Sequence, residues 1–97
     1  MRTRGGWVYI MTNRPNGVLY IGVTADLIRR ASEHRAAETE CFTRKYWLNR
    51  LVYFERYEDI VDAIAREKAM KKWLRAWKVE LVEKENPEWN DLYESIL

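Results

Sequence analysis

The pattern of hydrophobic and polar positions predicts a hairpin of two strands near the start of the chain. Residues 7–12, WVYIMT, and 18–22, VLYIG, are rich in the β-branched and aromatic residues that favour strands. The segment NRPNG between them carries the turn pair Asn16-Gly17, a strong signal for a hairpin. A further apolar run, RLVYFE at 50–55, predicts a third strand.

Helices are predicted after the hairpin and again after the third strand. Asp26 is a suitable N-cap for a helix over 27–37, whereas the polar segment 38–48 predicts a loop. From about residue 58, apolar side chains recur at spacings of three to four, which is typical of an amphipathic helix. The predicted core stripe of this helix consists of Ile60, Ala63, Ile64, Met70 and Leu74.

The remaining C-terminal sequence predicts more helix. The segment AWKVELVEKE continues the helical pattern, with a bend expected near 73–75. Pro87 ends it, because the residue before a proline disfavours helical angles. The last residues, EWNDLYESIL, predict a short closing helix. The order β-β-α-β-α-α predicts an α/β fold, a small three-stranded antiparallel sheet flanked by helices.

Composition narrows the class of protein. The chain has 97 residues, of which 47% are hydrophobic and 33% are charged. We therefore expect one domain over 1–97 with a hydrophobic core that needs no disulfide or metal to stabilise it. Cys41 is the only cysteine in the sequence, which excludes an intrachain disulfide and fits a reducing compartment. The N-terminal segment has no apolar run long enough for a signal peptide or a membrane span. We therefore expect a cytoplasmic protein with no membrane partner.

The distribution of charge changes this picture, although the net charge is only +2. Residues 64–79 carry six basic side chains and one acid, whereas 80–97 carry one basic side chain and six acids. Basic blocks interleaved with aromatic side chains suit a polyanion such as a nucleic acid. The same pattern also fits an ordinary solvated helix face, so charge alone leaves both interpretations open.

One acidic residue interrupts the apolar stripe of the long predicted helix. Glu67 lies three positions after Ile64 and three before Met70, where a side chain is expected to face the core. A buried carboxylate is costly unless it is paired, protonated or bound to a cation. Glu67 is therefore either the partner of a nearby arginine or a metal ligand or acid–base group at the edge of the core.

The hairpin and the first predicted helix carry a second group of unusual residues. Arg30 and His34 are four apart and share one helix face, and an arginine fork suits phosphate oxygens. Tyr9 and Tyr20 lie in the two hairpin strands, and Gly22 at a strand end permits close approach of another group. Each residue has an ordinary structural interpretation when taken singly. Together they indicate a phosphate site beside the end of the second strand.

In order and spacing these residues resemble the GIY-YIG nuclease domain. The first half of its motif stands here as WVY, ending at Tyr9, and the second half is intact as YIG, beginning at Tyr20. Arg30 falls eight residues after the YIG glycine, where that family has its arginine, and Arg29 is expected to face solvent. The resemblance spans roughly residues 6–91 and is closest to the small stand-alone bacterial members.

This resemblance implies a catalytic site with assigned roles. Tyr9 would be the general base towards water, and Arg30 would bind the non-bridging phosphate oxygens. Tyr20 and His34 would position the water and the phosphate, and Gly22 is the motif glycine. The pairing of one cation with several ring side chains fits the phosphate chemistry inferred above.

The resemblance also implies a cofactor and a further site residue. Glu67 would hold one divalent ion, Mg²⁺ or Mn²⁺, since one carboxylate with waters and phosphate suits either metal. Asn90, in the setting NPEWNDL, corresponds to the final asparagine of the family and would orient the site, with Asn86 as the alternative.

The implied activity is metal-dependent endonucleolytic hydrolysis of DNA, with weak or structure-dependent specificity and a role in DNA repair or recombination. The candidates for contacts to backbone phosphates are Arg44, Lys45, Lys71, Lys72, Arg75 and Lys78. We expect a monomer. Two rival hypotheses stand beside the nuclease: a non-catalytic nucleic-acid-binding module of the same fold, and a protein-interaction domain.

Overall fold

The fold is built on a three-stranded antiparallel sheet. A computed structural model describes residues 5–36 and 47–97 of the chain. Strand β1 (Gly6–Thr12) lies in the centre, between β2 (Leu19–Thr24) and β3 (Arg50–Tyr57). Both neighbours pair with β1 in the antiparallel sense. The predicted fold class, a small antiparallel sheet flanked by helices, is confirmed.

Helices cover both faces of this sheet in the described part of the chain. They are α1 (Leu27–Arg35), α2 (Ile60–Lys71), α3 (Arg75–Glu85) and a 3-10 helix at Tyr93–Ile96. The bend predicted near 73–75 is a break that separates α2 from α3, and the predicted closing helix is the 3-10 helix. Most of the loop predicted at 38–48 lies outside the described residues.

Aspartate caps determine where the first two helices begin. Asp26 accepts a hydrogen bond from the backbone N–H of Arg29 at 3.1 Å, and Asp59 accepts one from that of Val61 at 2.9 Å. Each carboxylate satisfies an N–H group that the first helical turn leaves unpaired. The predicted N-cap at Asp26 is confirmed, and it sets which side chains of α1 turn towards the sheet.

Alternation along the strands divides the core between the two faces of the sheet. On the face covered by α2 and α3, here the α2 face, the buried side chains are Val8, Ile10, Ile21, Val52, Tyr53, Ala63, Met70, Val82 and Trp89. On the opposite face, here the α1 face, they are Tyr9, Met11, Leu27, Ala31, Leu48 and Leu51. The sheet thus separates two hydrophobic clusters.

Two members of the predicted core stripe are exposed, and Ile60 is only partly buried. Ala63 and Met70 face the sheet, but Ile64 and Leu74 are exposed. Ile64 is turned away because it is one residue, roughly 100° of helix, beyond Ala63. Leu74 lies in the break before α3 and is not in the α2 helix at all, so the periodicity of α2 does not apply to it.

Helix length also bears on membranes. In residues 5–36 and 47–97, no helix is both long and apolar enough to cross a bilayer.

Candidate active site

Three ring side chains meet on the α1 face of the sheet. The phenol oxygen of Tyr9 lies 3.1 Å from Nε2 of His34 in a buried hydrogen bond. The ring of Tyr20 lies 5.4 Å from that of His34 and 6.3 Å from that of Tyr9, measured between centroids. A strand from each side of the hairpin and one helix therefore bring these predicted residues into a single cluster.

Gly22 makes room for this cluster. It pairs with Tyr9 across the β1–β2 ladder. A Cβ atom at position 22 would lie 2.5 Å from both Cζ and the phenol oxygen of Tyr9, a separation at which atoms overlap. The glycine is thus needed because the Tyr9 ring lies directly over its backbone, which is close approach rather than an unusual φ angle.

Helix α1 supplies the other side of the site. His34 is turned into the α1 face and is only 4% exposed. Arg30 lies one turn earlier, with a side chain 41% exposed, whereas the side chain of Arg29 is 76% exposed. Nε of each arginine also lies near the Glu33 carboxylate, at 3.4 Å for Arg29 and 3.6 Å for Arg30. Arg30 is therefore the arginine at the edge of the cluster, and Arg29 faces solvent as predicted.

The surroundings of His34 keep its imidazole neutral. Burial, and next the positive charge of Arg30, lower the pKa of His34 from 6.5 to about 4, while Glu33 acts in the opposite sense. Within residues 5–36 and 47–97, Nδ1 of His34 is buried and has no hydrogen-bond partner. A neutral imidazole with its proton on Nδ1 would accept from the Tyr9 hydroxyl through Nε2.

A polar cleft opens beside this cluster. It has a volume of about 310 Å³ and is lined by Thr24, Ala25, Asp26, Arg29, Arg30 and Glu33. Arg30 lines the cleft and lies one helical turn before His34, so it connects the cleft to the buried rings. The cleft offers an anion two arginines, beside the carboxylates of Asp26 and Glu33. Glu33 is the residue that sequence reasoning missed here, and its spacing of three and four from the two arginines was the available signal.

Glu67 lies in the other helix layer. It belongs to α2, and its carboxylate pairs with Nζ of Lys71 at 3.2 Å with only 13% of the side chain exposed. A pairing was one of the two interpretations considered, although the partner is a lysine one turn away and not an arginine. The structure thus assembles Tyr9, Tyr20 and His34 directly and leaves Glu67 on the helix that packs against the α2 face.

The donor set near Glu67 limits how a metal could bind. Across the described ranges, no group of three His, Cys, Asp or Glu side chains is arranged to hold an ion. A single, largely buried carboxylate does fit Mg²⁺, which keeps several waters and takes its other ligands from a substrate phosphate. It does not fit zinc, which requires three or four protein ligands.

The two candidate asparagines differ in burial and bonding. Asn86 is buried, and its Nδ2 donates to the carbonyls of Val52 at 3.1 Å and Asn90 at 2.9 Å. Its Oδ1 accepts from the backbone N–H of Asn90 at 3.0 Å. The Asn86 amide thus closes the turn after α3 and ties it to β3. Asn90 is exposed, and the bonds that position it come from its backbone.

The predicted phosphate-binding cations lie in different situations. Lys72 is exposed, Lys78 is half-buried, and Lys71 is paired with Glu67. Arg75 donates from Nη2 to the carbonyls of Asn16 at 2.9 Å and Gly17 at 2.7 Å, and so joins α3 to the hairpin turn. Arg44 and Lys45 lie outside the described residues.

Sequence reasoning missed a second polar cluster, on the α2 face. Glu55 accepts from Nε and Nη2 of Arg66, both at 3.1 Å, from Tyr57 at 2.7 Å and from Tyr53. These hydrogen bonds outweigh burial and lower the pKa of Glu55, while burial and Glu55 raise the pKa of Tyr53. The signal was the alternation Tyr-x-Glu-x-Tyr in β3, which points the carboxylate to the same side as two aromatic rings.

Comparison with known proteins bears on the family. The model of the GIY-YIG catalytic domain matches residues 5–80. A UPF0213 protein of Haloquadratum walsbyi is 38% identical over 65 residues, which cover 67% of this chain and 73% of the relative. One from Natronomonas pharaonis is 36% identical over 76 residues, covering 78% and 88%, respectively. One from Desulfotalea psychrophila is 31% identical over 91 residues, covering 93% and 83%.

No solved structure matches the sequence at a significant level. The names of the curated relatives state no activity, so they support kinship without assigning a reaction. The matched family has a nuclease-type fold, and GIY-YIG nucleases generally use a divalent metal. The motif tyrosines, the glycine beneath Tyr9 and the arginine of α1 all lie inside the matched range. The chain therefore belongs to the GIY-YIG family.

Proposed function

We propose that this protein is a metal-dependent endonuclease that hydrolyses DNA phosphodiester bonds with weak or structure-dependent specificity. The observation that carries the proposal is the buried hydrogen bond between Tyr9 and His34. Gly22 lies directly beneath the Tyr9 ring, and the positive charge of Arg30 acts on His34. A phenol that is hydrogen-bonded to a neutral imidazole and lies near a cation can act as a general acid or base towards a bound phosphate group.

Tyr9 is the proposed general base, and His34 is its orienting partner. An ordinary tyrosine has a pKa of about 10, and His34 has one of about 4. Moving a phenol proton onto this imidazole would therefore cost roughly 8 kcal/mol, at about 1.36 kcal/mol per pKa unit. His34 thus holds the Tyr9 hydroxyl in place but does not store its proton. The active form is a Tyr9 phenolate that has lost its proton to solvent, and its charge is stabilised by the Arg30 cation. In this form His34 carries its proton on Nε2 and donates to the phenolate, which takes a proton from the attacking water.

Arg30 is the proposed phosphate-binding residue. Its guanidinium borders both the ring cluster and the polar cleft. A planar fork of donors can contact two non-bridging oxygens at once, and its charge offsets the negative charge that builds up as water attacks phosphorus. Glu33 holds Nε of Arg30 loosely at 3.6 Å, so a phosphate can take its place. Tyr20 would help to position the water.

Glu67 is the proposed ligand of one divalent ion, Mg²⁺ or Mn²⁺. When bound, such an ion would act as a Lewis acid on the phosphate and stabilise the leaving 3′ oxygen. Binding requires Lys71 to give up the Glu67 carboxylate, which costs little because that lysine is half exposed. Asn90, exposed at the end of the chain segment that Asn86 secures, would orient the site.

The proposed substrate is DNA, acted on by a single-domain monomer in the cytoplasm. Lys71, Lys72, Arg75 and Lys78 would contact backbone phosphates, as would Arg44 and Lys45. Such contacts fix the position of a duplex without reading its sequence. Binding should therefore weaken steeply as salt rises, because each neutralised phosphate releases counterions.

A non-catalytic DNA-binding module is the second candidate. The observation in its favour is the position of Glu67, which is paired with Lys71 on the helix layer opposite Tyr9. A binding module would keep the cationic surface and the fold but would need neither the phenolate nor the metal. Binding without cleavage in the presence of Mg²⁺ is its signature.

Nicking of supercoiled plasmid with Mg²⁺ or Mn²⁺ tests the proposal. Tyr9→Phe keeps the ring and removes the hydroxyl, so we expect a rate about 10²- to 10⁴-fold lower with unchanged DNA binding. Glu67→Ala should abolish metal-dependent nicking, while Glu80→Ala, an exposed carboxylate on α3, serves as the matched control. A Tyr9→Phe protein that nicks at the wild-type rate would exclude Tyr9 as the base. A wild-type protein that binds but never nicks would favour the second candidate.

A further inference from the structure

The last residue of helix α1 is bonded to the C-terminal segment of the chain. Nη1 of Arg35 donates to Oδ2 of Asp91, and the Arg35 guanidinium lies over the Tyr93 ring, 4.5 Å from its centroid. Arg35 follows His34 directly in α1. This contact, here the Arg35–Asp91 clamp, therefore attaches to the helix at the turn that carries the histidine of the candidate site.

Asp91 is itself held against the sheet. Its Oδ1 accepts from the backbone N–H of Leu51 in β3 at 3.2 Å and from that of Tyr93 at 3.1 Å. The backbone N–H of Leu92 also donates to the Leu51 carbonyl, at 2.7 Å. Because two backbone donors already fix the carboxylate, it loses little freedom when it pairs with an arginine. We therefore expect this partly exposed pair to contribute more than an ordinary surface ion pair does.

Helix α1 needs such an anchor because it is short. It has nine residues, fewer than the roughly 12–15 that an isolated helix needs in water, so packing must fix its position. Burial of Leu27 and Ala31 against the sheet is not directional. The bond from Tyr9 to His34 is directional, and from 3.1 Å a displacement of about 0.5 Å would break it. The clamp adds a directional contact at the same turn.

We propose that Asp91 is a positioning residue of the candidate active site. Acting through Arg35, it keeps His34 within hydrogen-bonding distance of Tyr9. This inference rests on the proposed function and adds a residue to it. The effect on the reaction passes through the orientation of the Tyr9 hydroxyl, which is bonded to His34. Loss of the clamp should therefore slow cleavage without weakening DNA binding.

The chain offers sharp variants and a matched control. Asp91→Asn keeps an oxygen for the two backbone donors and removes the charge that binds Arg35. Because it removes an acid, a loss of activity in this variant cannot come from a lost phosphate contact. Arg35→Ala removes the clamp from the other side. Arg50→Ala is the control, because Nη1 of Arg50 donates to the carbonyl of Trp89 at 3.0 Å and so ties the same C-terminal segment to β3 rather than to α1.

NMR spectroscopy measures the position of the imidazole directly. His34 is the only histidine in the sequence, so in untagged protein it gives a single set of imidazole signals. Long-range proton–nitrogen spectra at neutral pH report which ring nitrogen carries the proton. The wild type should hold it on Nδ1, with Nε2 accepting from Tyr9. Asp91→Asn and Arg35→Ala should each show a mixture of the two tautomers, whereas Arg50→Ala should keep the wild-type signals.

Nicking at saturating DNA gives the second readout. Asp91→Asn should nick at least about tenfold more slowly than the wild type, with a Kd for DNA that is unchanged or lower. Combining Asp91→Asn with Arg35→Ala should lose no more activity than either substitution alone. Arg50→Ala should nick within about twofold of the wild-type rate.

The outcomes separate the two proposals. Wild-type His34 signals in Asp91→Asn would overturn the positioning role, and so would equal changes in Arg50→Ala, which would show a general loosening of the fold. If Asp91→Asn does not fold, the signals of Arg35→Ala decide in the same way. A wild-type protein that never nicks would refute the proposed function, while tautomer changes confined to the clamp variants would still support the control of His34 by Asp91.

Discussion

The two faces of the sheet carry two polar clusters that differ in how completely they are bonded. On the α2 face, Glu55 accepts from Arg66 and from two tyrosines, and its charge is matched. On the α1 face, His34 bonds to Tyr9 through Nε2, while its buried Nδ1 has no partner within residues 5–36 and 47–97. Buried polar groups are normally satisfied, so an orphan atom costs stability.

The difference in bonding indicates that one face of the sheet carries a cluster that stabilises the fold and the other face carries the candidate site. A fully bonded cluster such as that of Glu55 rigidifies its surroundings but leaves no capacity for a substrate. The His34 cluster retains an unmatched polar atom beside Arg30 and a polar cleft, which is the condition expected of a functional site. The sheet keeps the two apart because alternate residues of its strands point to opposite faces.

The largest expected effect comes from filling the space beneath Tyr9. Gly22→Ala places a methyl group 2.5 Å from the Tyr9 phenol, so the ring must shift and its hydrogen bond to His34 is disturbed. We expect nicking to fall at least about 100-fold, since misplacement by an ångström is enough for that. Unfolding free energy should fall by about 1–3 kcal/mol from overpacking. The double variant Gly22→Ala with Tyr9→Phe should lose little more activity than either alone, and additive losses would contradict the contact.

The next effect lies on the opposite face and should spare the site. Glu55→Gln removes the charge that holds Arg66, leaving a partly buried guanidinium without its counterion. We expect a loss of about 2–4 kcal/mol in unfolding free energy, measured by urea titration. The NMR signals of the His34 imidazole should stay unchanged. Movement of those signals would show that the two clusters are coupled through the sheet.

The smallest expected effect is that His34 makes the free energy of unfolding depend on pH. Its folded pKa is about 4 and its unfolded pKa about 6.5, so between these values the unfolded chain binds more protons. Stability from this residue is therefore present above pH 6.5 and is lost as pH falls towards 4. The change between pH 8 and pH 5 should be about 2 kcal/mol.

His34→Gln serves as the control for that dependence. It keeps a side chain that can bond to Tyr9 and removes the titrating group. The slope of unfolding free energy between pH 5 and pH 7 should be shallower in this variant than in the wild type. Glu55 does not interfere, because its pKa is lowered and its contribution is lost only in more acidic solution. Identical slopes in the two proteins would contradict a neutral buried His34.

Prediction from sequence succeeded where a local rule governed the residue. The Asp26 cap, the Asn16-Gly17 turn region and the alternation of β1 depend on neighbours a few residues away, and each lies where the pattern predicted. Leu74 was wrong because the stripe was extended across a break in the helix, and Ile64 was wrong because the neighbouring Ala63 is the residue that faces the sheet. That break depends on how α3 packs and on Arg75 reaching the hairpin carbonyls, which are 58 and 59 residues away.

By itself, the sequence determined the strand and helix order and indicated that Arg29 faces solvent more than Arg30 does, because periodicity and spacing are local properties of the chain. Only the tertiary structure decided that Tyr9 meets His34, that Gly22 lies directly beneath the Tyr9 ring, and that Glu55 is matched by Arg66. These contacts join residues 11 to 25 positions apart through the register of the sheet and the angle of a helix. No local pattern encodes that geometry, since it arises only when separate elements pack.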